Sequence, residues 1–485
     1  MGKITFYDGV KEIGGTKIFL EISGKRFFLD FGMNYKKRNL FFEEYLNPRV
    51  ANGIGDLYFL GLIPKIKGLY RKDLVKFIRR EGVEELGNEH DENFVDAVFL
   101  SHAHFDHSGY ITFLREEIPV YMSKITEHLL RAMEDVSTTQ FETSMFKFIK
   151  RPALGNFRSP GYYGTHSAIN TNGVIRLDRM TVHTFPVDHS VPGALGFVFS
   201  GEEGSIVYTG DLRLHGKRKA DTEQFIRNAK KFKPQILIIE GTNLRGENSE
   251  GREFWTEEKV MERAGEVMQK TTGLVIADFS IRDVNRFLTF YELSLRNNRK
   301  FVISLKDAYL INRMHEIGMP VPDITDNNIY VYLKKKKSGT YIDTDYREKW
   351  IKQILSIKGI KTIKANEIRN NEDAFTIVMR YWDLQELIDL RPVKGSKYIH
   401  SSSEAHSEEQ EIDEWRMNNW LKLFNLYPRE HIHASGHARK EDLFRIVSEI
   451  SPKIIVPVHT EHPEEYVKKF GSKVKIVDEG ETIEF

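Results

Sequence analysis

The chain has 485 residues with 40% apolar and 29% charged residues, a composition typical of globular proteins. It contains no cysteine, which excludes disulfides and thiolate metal ligands, and no apolar run long enough for a membrane span or a secretory signal. The net charge of +1 excludes a binder that relies on bulk positive charge but permits a local basic groove. These features predict a soluble, cytoplasmic protein with no membrane partner.

Short apolar runs that end at a polar residue recur along the chain, and each predicts a buried strand. The strands and the polar residues after them are Phe27–Leu29 before Asp30, Val95–Leu100 before Ser101, Ser205–Thr209 before Asp211, Ile236–Ile239 before Glu240, and Ile454–Val458 before His459. Amphipathic patterns predict helices at Asp73–Arg80, Lys124–Val136, Thr256–Gln269 and Lys440–Ile450. Polar residues at the carboxyl ends of strands meet at one rim of a sheet, where we expect the site.

The chain changes character between residues 244 and 426, where strand-like runs alternate with helical stretches. The runs are Gly273–Ala277, Phe301–Ser304, Ile329–Leu333, Thr376–Met379 and Lys397–His400. This alternation predicts a separate α/β unit with a parallel sheet. The pattern of a strand followed by a polar ligand resumes only at His431, so we predict a discontinuous domain, 1–243 and 427–485, interrupted by 244–426. The long mixed segment 34–93 indicates an insertion or lid.

The segment Ser101–His107 is the sharpest motif, with three histidines and an aspartate directly after a predicted strand. Imidazole and carboxylate ligands in this density are typical of zinc. His102 and His104 project the same way from an extended turn and can hold one metal ion. Asp106 and His107 lie on the other side and can hold a second ion. The alternative, a run of surface histidines, is a rarer origin for this spacing.

Two metal ions need further ligands, and three candidates follow in chain order. His189 lies in a Val-Asp-His-Ser sequence, Asp211 comes after a tight glycine and is suited to bridge two cations, and His459 follows a Val-Pro-Val run. Taken alone, each is more often a structural histidine or a turn aspartate. Behind the motif at 102–107, however, their order favours metal ligation.

This set of residues resembles motifs two to four of the metallo-β-lactamase superfamily, and Asp30 resembles that family's first motif, a structural aspartate that supports the ligands. The resemblance implies the four-layered αββα fold. It also implies one zinc on His102, His104 and His189 and another on Asp106, His107 and His459. Asp211 would bridge the two ions, with a shared hydroxide as the nucleophile. Mn²⁺ is the alternative metal, since it occupies similar sites.

Later motifs resemble the β-CASP nucleases within that superfamily, and most closely the ribonuclease J family. Glu240 matches motif A, Ser435–Ala438 with His437 matches motif B, His459 matches motif C, and the block 244–426 lies where the group has its cap domain. The resemblance places Asp106, Asp211, Glu240 and His437 in the catalytic set. Histidine can contact a phosphate or protonate a leaving oxygen, with Glu240 orienting His437. The backbone of Ser435, Gly436, His437 and Ala438 is predicted to bind substrate phosphate before a helix.

The expected activity is zinc-dependent hydrolysis of RNA phosphodiesters by 5′→3′ exonuclease action, endonuclease action or both. RNA-cutting members typically carry glutamate at motif A and histidine at motif C, as Glu240 and His459 do here, so single-stranded RNA is the predicted partner. A DNA nuclease of the same fold, a small-molecule metallo-hydrolase and a nucleic-acid-binding scaffold without activity are the alternatives. A monomer and a homodimer both stay open.

Several other residues have weaker signals. Basic clusters lie at Arg71–Lys76, His215–Lys219, Lys230–Lys233 and Lys334–Lys337. Each is interpreted as solvated surface that would support nucleic-acid binding only by facing a catalytic site. Arg213, Lys217 and Arg218 are candidate contacts to the substrate backbone. No motif includes His166, His183, His431 or His433, which we interpret as structural or surface residues.

Overall fold

The computed structural model describes residues 1–43, 45–75, 93–137, 141–150, 163–245, 255–403 and 408–485. The chain divides into two compact units. The first comprises Met1–Leu214, Arg218–Arg252 and Gly436–Phe485, and the second comprises His215–Lys217 and Glu253–Ser435. The domain boundaries predicted at 243/244 and 426/427 each lie nine residues before these divisions. Within the described ranges, no helix combines the length and the apolar composition that crossing a bilayer requires.

The first unit begins with a series of mostly short strands. They are β1 (Lys3–Asp8), β2 (Lys17–Ile22), β3 (Lys25–Leu29), β4 (Ala97–Phe99), β5 (Val120–Met122), β6 (Phe148–Ile149), β7 (Tyr163–Gly164), β8 (Ala168–Asn170), β9 (Val174–Leu177), β10 (Met180–Pro186), β11 (Leu195–Gly201), β12 (Gly204–Tyr208) and β13 (Ile236–Ile239). The helices between them are α1 (Tyr35–Asn39), α2 (Gly55–Phe59), α3 (Lys72–Val75), α4 (Phe105–Ser108), α5 (Lys124–Val136) and α6 (Lys219–Lys231). The helix predicted at Asp73–Arg80 lies within the described residues only as far as Val75.

The second unit alternates strands and helices. Its helices are α7 (Glu257–Lys270), α8 (Val284–Arg296), α9 (Leu305–Glu316), α10 (Lys349–Leu355), α11 (Ala365–Arg369), α12 (Leu387–Leu390) and α13 (Glu408–Leu423). Its strands are β14 (Val275–Asp278), β15 (Lys300–Ser304), β16 (Ile329–Tyr332), β17 (Thr362–Ile363), β18 (Phe375–Val378), β19 (Lys397–His400) and β20 (Glu430–His431). They form one sheet in the order β17-β16-β15-β18-β14-β19-β20, in which all neighbours are parallel. The predicted parallel sheet is thus confirmed.

The chain then returns to the first unit with α14 (Lys440–Ile450), β21 (Ile454–Pro457), α15 (Glu464–Phe470) and β22 (Thr482–Glu484). Two large sheets form this unit. One has the order β22-β1-β2-β3-β4-β5-β8 and the other the order β21-β13-β12-β11-β10-β9. The predicted α/β fold is confirmed, and helices α5 and α14 have the predicted bounds.

The strand β13 shows why the two sheets pack between helices. All four of its residues are buried, and alternate side chains of a strand point to opposite faces. Ile236 and Ile238 join the apolar core shared by the two sheets, whereas Leu237 and Ile239 join a second core with α6 and α14. Full burial of each such side chain contributes about 1.5–3 kcal/mol.

Parallel pairing brings the predicted site to one rim. Strand β3 is parallel to β4 in the first sheet, and β12, β13 and β21 run parallel to one another in the second. The carboxyl ends of parallel neighbours lie at the same edge. The polar residues that follow these strands, from Asp30 to His459, are therefore gathered where the sheet edges end.

Candidate metal centre

The loop that carries the histidine motif is fastened by backbone hydrogen bonds to its neighbours. Phe31 N donates to His107 O at 2.8 Å, and Thr16 N donates to Asp106 O at 3.1 Å. Gly32 lies so close to this loop that a Cβ at that position would fall 1.7 Å from Asp106 O. Only glycine can therefore occupy position 32, and this close contact keeps the loop at the carboxyl end of β4.

Four side chains converge as a first group of potential metal ligands: His102, His104, His189 and Asp211. His104 Nδ1 lies 3.1 Å from His102 Nε2 and 3.2 Å from His189 Nε2. Asp211 Oδ2 lies 3.5 Å from His102 Nε2 and 3.9 Å from His189 Nε2. The structure thus brings together the residues that the sequence analysis grouped around one zinc.

A second group lies on the other side of Asp211: Asp106, His107 and His459. Asp106 Oδ2 is 3.8 Å from His107 Nε2 and 3.8 Å from His459 Nε2. Asp211 reaches this group as well, with Oδ2 3.2 Å from His107 Nε2 and Oδ1 3.8 Å from His459 Nδ1. Asp211 therefore lies between the two groups, where a bridging carboxylate would be expected.

The outward nitrogens of two imidazoles in the first group are held by oxygen atoms. His102 Nδ1 lies 2.9 Å from Ser101 Oγ, and His189 Nδ1 lies 2.6 Å from Gly436 O. A backbone carbonyl only accepts hydrogen bonds, so His189 carries its proton on Nδ1 and turns a lone pair on Nε2 inward. This is the arrangement of metal-ligating histidines, in which the second nitrogen is bonded to an oxygen.

Asp30 supports the second group in the same way. The side chain is fully buried and its Oδ2 lies 2.7 Å from His107 Nδ1. The same carboxylate accepts hydrogen bonds from Ser101 N, Ser101 Oγ and Tyr208 OH at 2.6, 2.7 and 2.5 Å. Asp30 has φ 57°, a left-handed conformation that aspartate tolerates better than most residues. It orients His107 and joins β3, β4 and β12.

The inner atoms of the site fit a cation. In the described part of the chain, His107 Nε2, Asp211 Oδ1 and His459 Nδ1 are buried without a hydrogen-bond partner. Unsatisfied buried polar atoms are costly and rare. Because neutral imidazoles and carboxylates are strong ligands of zinc-like ions, bound metal would satisfy these atoms.

Burial and charge set the protonation of the ligand groups. Burial lowers the pKa of His102, His189 and His459, which favours the neutral form that binds metal. Burial alone would lower the pKa of His107, but the Asp211, Asp106 and Asp30 carboxylates raise it. Burial alone would raise the pKa of Asp211, but the His107 and His459 imidazoles hold it well below its ordinary value.

Glu240 connects His437 to the loop that carries Asp211. Its Oε2 lies 2.9 Å from His437 Nδ1, and its Oε1 accepts a hydrogen bond from Leu212 N at 2.8 Å. His437 Nδ1 is also 3.9 Å from Asp211 Oδ2. Burial would lower the pKa of His437, but the Glu240 and Asp211 carboxylates raise it to about 9. The sequence-predicted pair thus borders both ligand groups.

The segment Ser435–Ala438, predicted to bind phosphate through its backbone, is partly engaged by the protein itself. Gly436 O accepts the bond from His189, and Ala438 N donates to Leu212 O at 2.7 Å. The helix α14 begins only at Lys440. The Ala438 amide is therefore occupied, which corrects its predicted role, while phosphate binding by the preceding residues stays a prediction.

Both arginines that were predicted to contact the substrate, Arg213 and Arg218, form ion pairs within the protein. Arg213 is fully buried, with Nε 3.2 Å from Asp188 Oδ1. Arg218 N donates to Asp188 Oδ2 at 3.1 Å, and its guanidinium pairs with Asp221. The prediction is wrong for Arg213, because a buried ion pair cannot reach the substrate. The Arg213–Asp188 ion pair instead stabilises the turn before His189, a role that could not be predicted from the sequence.

A further carboxylate cluster, Asp8, Glu12 and Glu479, is bound by lysines. Lys17 Nζ lies 2.9 Å from Asp8 Oδ2 and is fully buried, and Lys37 Nζ lies 2.9 Å from Asp8 Oδ1 and 3.2 Å from Glu12 Oε1. Lysine ammonium groups therefore already provide the positive charge that this cluster needs.

This cluster predicts a pH effect at Glu12. Burial and the neighbouring Asp8 raise the pKa of Glu12 to about 7 from 4.5. A carboxyl group whose pKa is raised by folding destabilises the fold as the pH rises through that range. In urea unfolding, the midpoint of Glu12→Gln should therefore rise relative to wild type between about pH 5 and about pH 8.

The exposed Glu484, which pairs with Lys3, provides the control for that measurement. Glu484→Gln should keep a constant offset from wild type across the same pH range. A constant offset for Glu12→Gln would contradict the prediction.

Comparison with known proteins places the chain in a family context. Residues 82–248 match the model of the β-lactamase superfamily domain, and residues 428–477 match that of a Zn-dependent metallo-hydrolase RNA specificity domain. The first match contains the 102–107 motif and Asp211, and the second contains His437 and His459. Both matches thus include residues of the metal centre.

Similar curated sequences are named ribonuclease J. Ribonuclease J of Mycoplasma genitalium is 20% identical over 95% of this chain and 68% of its own length. Ribonuclease J2 of Bacillus subtilis is 21% identical over 100% of this chain and 75% of its own length. Ribonuclease J 1 of Streptococcus pyogenes is 22% identical over 76% of this chain and only 58% of its own length, so these relatives are longer proteins.

A crystal structure of a protein of unknown function from Enterococcus faecalis V583 has the same fold, with a TM-score of 0.72, 23% identity and 99% coverage of both chains. That likeness concerns the fold alone. The family matches and the ribonuclease J sequences extend over the metal centre and most of the chain. Residues 82–248 thus match a β-lactamase superfamily domain, and the chain as a whole is similar to the ribonuclease J-like β-CASP group of that superfamily.

Proposed function

We propose that this protein is a metal-dependent ribonuclease that hydrolyses phosphodiester bonds of single-stranded RNA to leave 5′-phosphate and 3′-hydroxyl ends. The position of Asp211 between two groups of ligand side chains carries the proposal, because one carboxylate within reach of both groups could bind two cations close enough to act on one phosphodiester. Two Zn²⁺ ions, with Mn²⁺ as the alternative, would be held by the two groups: His102, His104 and His189, and Asp106, His107 and His459.

When bound, such a pair of ions lowers the pKa of water and stabilises charge on the attacking and leaving oxygens. His437 would act beside the ions. Because Glu240 holds Nδ1 at 2.9 Å, the ring orientation is set, and Nε2 is the atom we assign to a phosphate oxygen or the leaving 3′-oxygen. Glu240 positions this ring relative to Asp211 through its second bond, to Leu212 N.

Several observations favour RNA among the phosphodiester substrates. The match at 428–477 is to an RNA specificity domain, and the similar curated sequences are named ribonuclease J. The RNA-cutting members of the β-CASP nucleases, which the chain resembles, also carry glutamate and histidine at the positions of Glu240 and His459. The alternatives are cleavage of DNA and hydrolysis of a small molecule, and a comparison of substrates must distinguish them from cleavage of RNA.

The direct test compares RNA and DNA strands of one sequence, each labelled and bearing either a 5′-monophosphate or a 5′-hydroxyl. We expect RNA to be cut much faster than DNA and all cutting to stop with a chelator. Product lengths over time separate exonuclease from endonuclease action, and the two 5′ ends show whether the terminal phosphate is sensed. Cleavage of DNA alone, or no cleavage of either strand by the zinc-loaded protein, would overturn the proposal.

Replacing His437 with alanine should lower kcat for RNA about 10²–10⁴-fold while zinc content stays unchanged, because a positioned acid or base contributes that factor. Kinetics and metal analysis on the same preparation check this. The half-buried His128 on α5, whose Nδ1 donates to Lys124 O, supplies the control, and His128→Ala should keep wild-type kcat. Unchanged kcat in His437→Ala would contradict the role. Loss of zinc would make His437 a ligand, since it also lies near Asp211 and His459.

A further inference from the structure

Several cations in the other basic clusters found in the sequence are paired with carboxylates. In the second unit, three consecutive lysines each have a carboxylate partner, and the pairs are Lys334–Asp383, Lys335–Asp389 and Lys336–Glu348. In the first unit, Arg71 pairs with Asp73 and Arg218 with Asp221. Paired cations offer little charge to a nucleic acid.

The cluster Lys230–Lys233 at the end of α6 differs. Lys230, Lys231 and Lys233 are exposed, and across the described ranges none of them forms an ion pair. Lys231 Nζ instead donates to Asn228 Oδ1 at 2.9 Å. The nearby Glu223 on the same helix is paired with Arg445, so it does not neutralise these lysines. This cluster keeps its positive charge.

One of these lysines, Lys231, lines a pocket of about 300 Å³ between β10 and α6, which we call the β10–α6 pocket. It is lined by His183, Phe185, Asn228, Lys231 and Phe232. The ring centroids of His183 and Phe232 are 4.6 Å apart, and the rings of His183 and Phe185 are nearly parallel, with centroids 6.4 Å apart. His183 and Phe185 are two residues apart on β10, so they share a face of the strand.

The His183 ring is suited to stacking. Burial and then the Arg176 guanidinium lower its pKa, which favours the neutral imidazole. Arg176 is exposed on β9, where its strand is paired with β10. The pocket therefore combines three aromatic rings with cations on two sides.

We propose that the β10–α6 pocket is an accessory binding site for single-stranded RNA, in which a base stacks on His183 with the tilted Phe232 ring at its edge, while the lysines at the end of α6 contact the flanking phosphates. Proteins that hold single strands combine aromatic platforms with positive grooves in this way. None of the residues that line the pocket belongs to the metal centre, yet the two sites are near each other, because the six residues of chain from His183 to His189 span at most about 20 Å. The accessory site rests on the proposed function only for the choice of RNA, and it would hold a substrate strand away from the scissile bond.

The first test measures binding of a fluorescent homopolymeric RNA strand by anisotropy, in chelator, so that cleavage plays no part. The triple variant Lys230→Glu, Lys231→Glu, Lys233→Glu should raise Kd about tenfold and give a shallower dependence of Kd on salt. A control with the same change in charge, Lys352→Glu, Lys358→Glu, Lys394→Glu, alters exposed lysines of the second unit and should stay within about twofold of wild type. Equal weakening by both triple variants would overturn the proposal.

The second test concerns the stacked base. His183→Ala should weaken RNA binding several-fold, and His183→Tyr, which restores a ring, should recover most of the affinity. An RNA that carries 5-iodouridine should crosslink on irradiation to the peptide that contains Phe232. An abasic strand that binds as tightly as RNA, or a polyglutamate peptide that competes as well as RNA, would overturn the proposal.

The two proposals fail separately. If the pocket variants bind RNA as tightly as the wild type and the protein still cleaves RNA, only the accessory site is rejected. If RNA binding depends on the pocket but the protein does not cleave RNA, only the ribonuclease assignment is rejected.

Discussion

Asp211→Ala is expected to abolish RNA hydrolysis, with kcat/KM falling at least about 1,000-fold, and to reduce bound zinc below that of the wild type. Asp211 lies within 4 Å of ligand atoms in both groups, so its loss removes a ligand from each ion at once. The charge stabilisation that metal ions provide in a transition state is worth several kcal/mol, and each 1.36 kcal/mol is about tenfold in rate. Steady-state kinetics and elemental analysis on one preparation measure both effects.

Two further variants interpret that result. Asp211→Asn keeps the shape but removes the charge, and we expect it to lose nearly as much activity. Asp178→Ala removes an exposed aspartate that pairs with Lys25, and it should leave both activity and zinc unchanged. An Asp211→Ala protein that keeps wild-type zinc and a tenth or more of the activity would show that the two groups do not share this carboxylate.

The second large effect is expected at Asp30, which touches no substrate. Asp30→Asn should weaken zinc binding about 10–100-fold, the usual cost of losing an outer hydrogen-bond partner of a ligand. The asparagine keeps the left-handed backbone but presents an amide where His107, Ser101 and Tyr208 all donate to a carboxylate. Breaking such a buried charged network should also cost about 3–5 kcal/mol of stability.

Chelator competition gives the zinc affinity, and urea unfolding of the metal-free chain gives the stability. Tyr208→Phe is the graded control, since it removes one of the four bonds to Asp30 and keeps the ring. It should cost only about 0.5–1.5 kcal/mol and change zinc affinity little. If Asp30→Asn behaves no worse than Tyr208→Phe, then Asp30 does not orient His107.

The strands and the convergence of the ligands could be predicted from the sequence because the signals are local. Each buried strand near the site was predicted from a mostly apolar run of three to six residues, and each run is followed by a polar residue that the parallel pairing brings to the same edge. The helices α5 and α14 were predictable to the residue, since Ser123 caps the first and a regular apolar face marks the second.

Other features depend on contacts between distant residues, which no local pattern encodes. The bond from Tyr208 to Asp30 joins residues 178 positions apart. The need for Gly32 arises only because the 102–107 loop returns against it. The partners of Lys334 and Lys335 lie about 50 residues away, so the sequence shows a basic run where the fold has neutral pairs.

The role of a histidine outside any motif is equally hard to predict from the sequence. His183 has no motif around it, and its partners Phe232 and Arg176 come from a helix and a neighbouring strand. The sequence analysis therefore interpreted it as structural or surface. Only the packing of α6 on β10 shows an aromatic pocket beside unpaired lysines.

Anomalous diffraction at the zinc absorption edge, from crystals of the zinc-loaded protein, tests the dinuclear centre most directly. We predict two anomalous peaks in the first unit. One should lie among His102, His104 and His189 and the other among Asp106, His107 and His459, both in contact with Asp211. A single peak, or peaks that leave Asp211 without contact to either ion, would contradict the shared-carboxylate centre on which the proposed ribonuclease activity depends.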